Sequence, residues 1–268
     1  MQSEHKVIAY GRTAELLAYH NNCVLKLFRI GIPANLAEEE FRISVSVYES
    51  GFSTPQPLEI VDYHGRKGIV YERVTGATML KIIAKKPWTM NKQSARMAQI
   101  HADMHSKHVA GLPNQKDVLM GRIEEAPILS RDEKQIIVHY LQSLKEDRKL
   151  CHGDYHPDNI MIDEREWTID WMTGMSGNPA GDVARTVLLL KLGTMPEETP
   201  KLLLYLTTWI RNQLLKQYIS HYLQKTYISY EEIEHWMLPI SAARLTEWIP
   251  EKEKQEIVNL IRQKLSAL

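Results

Sequence analysis

Cysteine is scarce in this chain of 268 residues: Cys23 and Cys151 are the only two. Both sit among apolar, strand-like neighbours, so two buried thiols are expected rather than a disulfide framework or a cysteine metal site. Charge of one sign is lacking as well. Lys plus Arg total 33 and Asp plus Glu total 33, which leaves no net field to draw the chain to nucleic acid or anionic lipid. Long apolar runs are missing. The stretches 186–190 and 202–206 fall far short of a membrane span, and the opening MQSEHKVIAY has no signal-peptide core. Repeats and low-complexity segments are missing too. What is left is 44% hydrophobic and 25% charged, the composition of a globular protein, expected in the cytoplasm and long enough for one large domain or two lobes.

The most informative stretch is 151–170, CHGDYHPDNIMIDEREWTID. Asp154 stands in a polar loop with an amide, Asn159, five residues on. If IMI (160–162) and WTI (167–169) pair as a hairpin around a 163–166 loop, partner numbers sum to 329. Asn159 then faces Asp170 with Cα atoms about 4.5–5.5 Å apart. An amide oxygen and a carboxylate meeting beside a free carboxylate suit Mg²⁺ next to a base. That is equipment for phosphoryl transfer to a hydroxyl. His152 is expected to lock this loop from beneath, and His156, before a proline, to shape it.

Upstream, residues 23–28 read as a strand with Lys26 the one charged side chain on it. The next helix, capped by Asn35 and ending before Gly51, carries a stripe of Leu36, Glu40, Ile43 and Val47. Glu40 is its inward carboxylate, while Glu38 and Glu39 face solvent. On spacing alone, a Lys26–Glu40 ion pair and a snorkelling Lys26 fit equally well; the downstream pattern favours the pair, which would hold the ammonium ready for phosphate oxygens. A glycine turn at 10–15, holding Gly11 and Thr13, can lay backbone N–H groups over phosphates. Residues 69–74 alternate as a strand, and free backbone groups of Glu72 to Val74 can bond a flat base.

After Thr75-Gly76 the chain reads as mainly helical, with Gly76 as a hinge. The expected division is therefore 1–74, a small β-rich nucleotide-binding lobe, and 75–268, a helical lobe with the catalytic loop and acceptor site. The pair His101 and His105 has zinc-like spacing but lacks the Glu of HExxH, so a packing role is favoured. Asp182, near a helix start at Pro179, either serves that helix end or bonds N–H groups of the catalytic loop. Further helices are expected at 95–108, 201–225, 230–248 and 251–267.

The segments YGRTAELLAY, VLKLF, IVYERVTG, CHGDYHPDNIMID, TIDW and GNPAGDVART occur in the order found in the aminoglycoside phosphotransferase and choline kinase family, which the chain resembles over nearly its whole length. That resemblance implies an α+β, two-lobed protein-kinase-like fold: a small antiparallel-sheet lobe with one helix and a larger helical lobe. It implies that Asp154 accepts or orients the acceptor's proton, and that Asn159 and Asp170 hold Mg²⁺. Lys26, steadied by Glu40, would contact the α and β phosphates; Glu72 to Val74 would meet adenine; Asp182 would brace the loop. ATP, with GTP left open, is the implied donor. Two departures stand out. The loop has His-Gly-Asp where protein kinases have His-Arg-Asp, and Trp171-Met172 follows Asp170 in place of Phe-Gly, with no Ala-Pro-Glu segment. Both point to a small-molecule acceptor. The rival reading is a nucleotide-binding scaffold with little turnover. For the acceptor, Glu231, Glu232, Glu234 and Glu247 can form an acidic patch for an aminoglycoside, and Trp236, Trp248, Tyr222 and Tyr227 an aromatic cage for choline.

Overall fold

A computed structural model describes residues 6–20, 22–193 and 201–268; residues 1–5, on which part of the signal-peptide expectation falls, lie outside them. The first sheet is antiparallel. It comprises β1 (Val7–Tyr10), β2 (Ala14–Tyr19), β3 (Cys23–Phe28), β4 (Pro57–Tyr63) and β5 (Arg66–Glu72), in the order β1-β2-β3-β5-β4. β3 is central, so both its faces are covered. Leu17, Leu25, Leu27 and Val70 pack on one side. Phe28, Ile69 and Ala14 pack with Ala37 of helix α1 (Ala34–Glu49) on the other. Lys26 alternates with Phe28 onto the α1 side, because side chains two apart share a face.

Helix α1 starts two residues earlier than expected. Pro33, with φ −57°, is its N-cap and Asn35 makes no cap bond; the fixed proline φ is suited to helix entry. Glu40 is buried while Glu38 and Glu39 are exposed, as the stripe predicts. Ile43 and Val47, with Phe52 just beyond the helix, belong to the large core of the second half. Helix α1 thus touches both halves.

The second half contains β6 (Ala77–Thr78), α2 (Met79–Lys85), α3 (Met90–His105), α4 (Gln115–Glu125), α5 (Arg131–Ser143), β7 (Lys149–Cys151), β8 (Ile160–Ile162), β9 (Glu166–Thr168), β10 (Met175–Gly177), α6 (Pro179–Leu192), α7 (Lys201–Lys225), α8 (Tyr230–Arg244) and α9 (Glu251–Leu265). One core runs through it, including Met97, Met104, Leu188, Tyr218 and Trp236. Strands β10 and β7 pair, and β6, β8 and β9 form a small sheet; β6, β7 and β10 are too short to register in the sequence pattern. At Gly76 a Cβ would lie 2.3 Å from the Ile162 carbonyl oxygen, so the glycine permits the close approach of β6 to β8. Helix α8 ends four residues early. The N–H groups of Leu245, Thr246 and Glu247 bond back to Ala242, Ala243 and Arg244, tightening the turn. Cys151 is buried and Cys23 partly so. Among the described residues no helix is long and apolar enough to cross a membrane.

The hairpin register differs from expectation by one residue. Ile160 pairs with Thr168, Met161 with Trp167 and Ile162 with Glu166. The loop is shorter because the Asp163 carboxylate accepts from the Arg165 N–H and the Trp167 indole N–H, both at 3.0 Å. Such side-chain bonding substitutes for a loop residue. Asn159 therefore sits opposite Ile169, whose N–H donates to its carbonyl at 3.0 Å. Asp170 leaves the strand with φ +67°, a left-handed conformation that redirects its side chain.

Candidate active site

The central strand, α1 and the end of the hairpin meet at one ammonium. Lys26 Nζ donates to Glu40 Oε1 and Oε2 at 2.6 and 2.8 Å and to Asp170 Oδ1 at 2.7 Å. Tyr71 Oη donates to the same Glu40 Oε1 at 3.1 Å. A buried lysine without partners would lose its proton. Here burial alone would lower the Lys26 pKa, and the charges of Asp170 and Glu40 outweigh it and raise it. The expected ion pair is present. Its second carboxylate, Asp170, was not foreseen as a partner, because the contact spans 144 residues.

The loop after β7 is fixed from below by Asp182. Its Oδ2 accepts from the His152 N–H and its Oδ1 from the Gly153 N–H, each at 2.7 Å. Asn178, not Asp182, caps α6, accepting from the Ala180 N–H. Of the two roles weighed for Asp182, the loop bonds are the ones it makes. His101 and His105 point their Nε2 atoms at Asp182 Oδ2, at 3.0 and 3.2 Å, and their Nδ1 atoms at the hydroxyls of Tyr218 and Tyr222. These atoms lie close enough to be considered for a metal. A carboxylate only accepts, however, so both Nε2 atoms carry the proton and both Nδ1 atoms accept. Every ligand atom is then already bonded. The partners of the two histidines are a carboxylate and phenols rather than backbone or water.

His152 is completely buried. Its Nδ1 accepts from the Asp154 N–H at 3.2 Å and its Nε2 bonds the Ile169 carbonyl at 3.0 Å. It thereby links the two ends of the site. Gly153 explains the His-Gly-Asp departure: its φ is +76°, and a Cβ would lie 2.4 Å from the Thr173 carbonyl oxygen. No side chain fits there. Trp171, in the Phe-Gly position, donates its indole N–H to Thr54 Oγ1 at 3.0 Å and meets Phe52 edge-on. His156 accepts from the Asp158 N–H at 3.3 Å and so shapes the loop as expected.

Asp154 is one-third exposed. Its Oδ1 accepts from Arg185 Nη2 at 3.1 Å, and its Oδ2 lies 3.5 Å from His156 Nε2. Crowding by the protein pushes its pKa up, but His156 and the Arg185 charge outweigh that and hold it below the usual carboxylate range. Asn159 donates its amide N–H to the Asp154 carbonyl at 3.0 Å, which leaves its Oδ1 without a hydrogen bond among the described residues. Crowding and the Asp154 charge likewise push Asp170 up, and Lys26 outweighs them and brings it down.

The nucleotide-side expectations fare unevenly. The Gly11 N–H already bonds the Ala14 carbonyl at 2.8 Å, and the Gly11 carbonyl accepts from the Arg29 guanidinium. The Thr13 carbonyl accepts from the Arg29 N–H. Gly11 therefore has no N–H to offer a phosphate. Glu72 and Arg73 are also engaged, their N–H groups bonding Gln56 and Asn22. That leaves Val74 as the member of the trio without a backbone bond among the described residues. The strand end is not open because the carbonyls of Gln56, just before β4, and Asn22, between β2 and β3, take these N–H groups.

Arg185 escaped the sequence reading. It lies three residues after Asp182, hence on the same face of α6, and that spacing within GNPAGDVART was the available signal. The acidic patch and the aromatic cage are not assembled. Glu232 caps α8, Glu234 pairs with Lys264, and Glu247 is held by Arg185 and Arg244. Trp236 and Tyr222 are core, whereas Trp248 and Tyr227 stand in solvent.

The sequence model of the phosphotransferase enzyme family, APH, matches residues 11–233. This chain belongs to that family. A search of curated proteins gave no match. Among solved structures, an aminoglycoside-3'-phosphotransferase of type VIII is 18% identical with a TM-score of 0.62, covering 90% of this chain and 93% of that one. Aminoglycoside phosphotransferase APH(4)-Ia is 13% identical with a TM-score of 0.65, covering 99% and 92%. APH(2")-IIa, solved as a ternary complex with streptomycin and ATP, is 14% identical with a TM-score of 0.56, covering 96% and 91%. At these identities the likeness establishes the fold. This phosphotransferase-family chain has the α+β, two-lobed, protein-kinase-like architecture.

Proposed function

We propose that this chain transfers the γ-phosphoryl group of ATP to a hydroxyl of a small molecule. The observation that carries the reading is Lys26, an ammonium bonded at once to Glu40 and Asp170, beside a loop that presents Asp154. On this reading the cleft between residues 1–74 and 75–268 receives the nucleotide. Lys26 meets its phosphates, Thr13 borders them, and Val74 meets the base. The fit to Mg²⁺ is good: Asn159 Oδ1 and the second oxygen of Asp170 are hard oxygen donors without hydrogen bonds among the described residues, the type that this ion prefers. When bound, the ion would neutralise charge on the phosphates.

Asp154 stays ionised under the influence of His156 and Arg185. It therefore serves as a fixed acceptor that orients the incoming hydroxyl, and takes its proton late in a loose transition state. Positioning of the loop falls to Asp182 and His152. Asp154→Asn is expected to cut turnover by about 10²–10⁴-fold while Mg–ADP binding survives. Unchanged turnover in that variant would remove Asp154 from the mechanism. Nucleotide consumption over a panel of hydroxylated metabolites separates an enzyme from a scaffold.

A further inference from the structure

We propose that the acceptor carries an anionic group, a carboxylate or a phosphate ester, and that Arg122 binds it; this rests on the phosphotransfer reading above. Beside Gly153 lies a cavity of about 20 Å³, lined by Arg122, Arg185, Arg244 and Glu247 against Leu119 and Ile240. That is room for one or two water-sized groups, enough for the oxygens of a small anion and too little for a sugar ring. Arg185 fixes the cavity next to the reacting loop: it donates to the Gly153 carbonyl and to Asp154 Oδ1, both at 3.1 Å.

Arginines and carboxylates are matched in number around it, but the hydrogen bonds are not shared evenly among the arginines. Glu247 is the one carboxylate lining the cavity that faces the arginines directly, and it is already engaged. It takes Arg185 Nη2 at 2.8 Å and Arg244 Nη1 at 2.9 Å. Arg244 is held from its other side by Glu253. Asp182 is turned inward to the loop N–H groups. Arg122 is the member left over. Its Nη1 comes no nearer than 4.0 Å to Glu247 Oε1, and it makes no hydrogen bond among the described residues. Its side chain is only 33% exposed. Glu125, one turn further along α4, faces solvent.

A guanidinium at the end of a partly buried side chain, with five donors, no acceptor and no hydrogen bond among the described residues, is matched by a planar or tetrahedral oxyanion. A polycationic acceptor would instead meet three arginines and find no unengaged carboxylate to receive it. The distance from this cavity to Asp154, bridged by one arginine, suits a compact acceptor whose hydroxyl and anionic group are a few bonds apart.

The test uses the full chain, Mg–[γ-³²P]ATP and a small-molecule cell extract split by anion exchange into retained and unretained fractions. Label is expected in product from the retained fraction. Arg122→Met should cut that labelling by 10²-fold or more at sub-saturating acceptor, with Arg122→Lys recovering part of it and Mg–ADP affinity unchanged in both. Prior phosphatase treatment of the retained fraction distinguishes the two anions: loss of labelling assigns a phosphate ester, survival a carboxylate. Labelling from the unretained fraction, or of kanamycin or choline added alone, overturns the proposal while leaving the phosphotransfer reading intact. So does full activity in Arg122→Met. No label from either fraction, in protein that binds Mg–ADP, overturns phosphotransfer itself and this proposal with it.

Discussion

Asp182→Ala is the most severe single change that the geometry around the loop predicts. The carboxylate is fully buried and accepts from four donors: the His152 and Gly153 N–H groups at 2.7 Å and the His101 and His105 imidazoles at 3.0 and 3.2 Å. Each buried donor left without a partner costs about 1–3 kcal/mol. Removing the carboxylate also relieves its own desolvation, so the lower part of the summed range, about 4–8 kcal/mol, is the expected loss. Against a typical total of about 5–15 kcal/mol this is a large fraction. For a chain of this size it corresponds to a fall in melting temperature of roughly 10–25 °C. Calorimetry or denaturant titration reads the loss directly. Tyr218→Phe and Tyr222→Phe serve as graded controls, since each removes one hydroxyl from a histidine Nδ1 and should cost about 1–2 kcal/mol. Refutation would be an Asp182→Ala protein melting within about 3 °C of the parent, because four orphaned donors cannot be that cheap.

Other perturbations probe the neighbouring groups. Lys26→Met leaves Glu40 buried without its cation and should destabilise by about 3–5 kcal/mol; Lys26→Met with Glu40→Leu should recover most of that stability but not Mg–ADP binding, which a thermal-melt cycle and a nucleotide titration check together. Asp170→Ala should weaken Mg–ADP binding itself, and wild-type affinity in a titration would contradict the metal assignment. Gly153→Ala combines a strained positive φ with a clash at the Thr173 carbonyl; it should cost about 2 kcal/mol or more and abolish turnover. Burial drives the His101 pKa from 6.5 down to about 3. Because the folded value is the lower one, the unfolded chain takes up the extra proton between them. Stability is thus present above pH 6.5 and lost as pH falls towards 3, by an amount on the order of a few kcal/mol. Melts at pH 7, 6 and 5 should decline, and a His101→Gln protein should show a shallower decline than the parent.

Much of this was legible in the sequence where periodicity alone sets the answer. The 23–28 strand and the burial of Glu40 follow from two-residue and 3.6-residue repeats, which act locally. The run from Asp154 to Asp170 marked the loop, because polar groups so closely spaced have few other uses. Its register did not follow. Asp163 accepts from the Arg165 N–H and the indole of Trp167, and the pairing is one residue off the expected register. The occupied N–H groups of Glu72 and Arg73 were likewise hidden, since their partners, Gln56 and Asn22, are distant in sequence.

From the sequence alone came a strand lysine, an inward helix glutamate and a loop carrying Asp154, Asn159 and Asp170, because alternation and spacing are properties of neighbours along the chain. Tertiary structure decided the rest: that Asp170 reaches Lys26, that Asp182 gathers two histidines and two loop amides, and that Glu247 is surrounded by arginines. These contacts join residues far apart in sequence, and a buried charge takes its strength and its consequences from whatever the fold brings within about 3 Å of it.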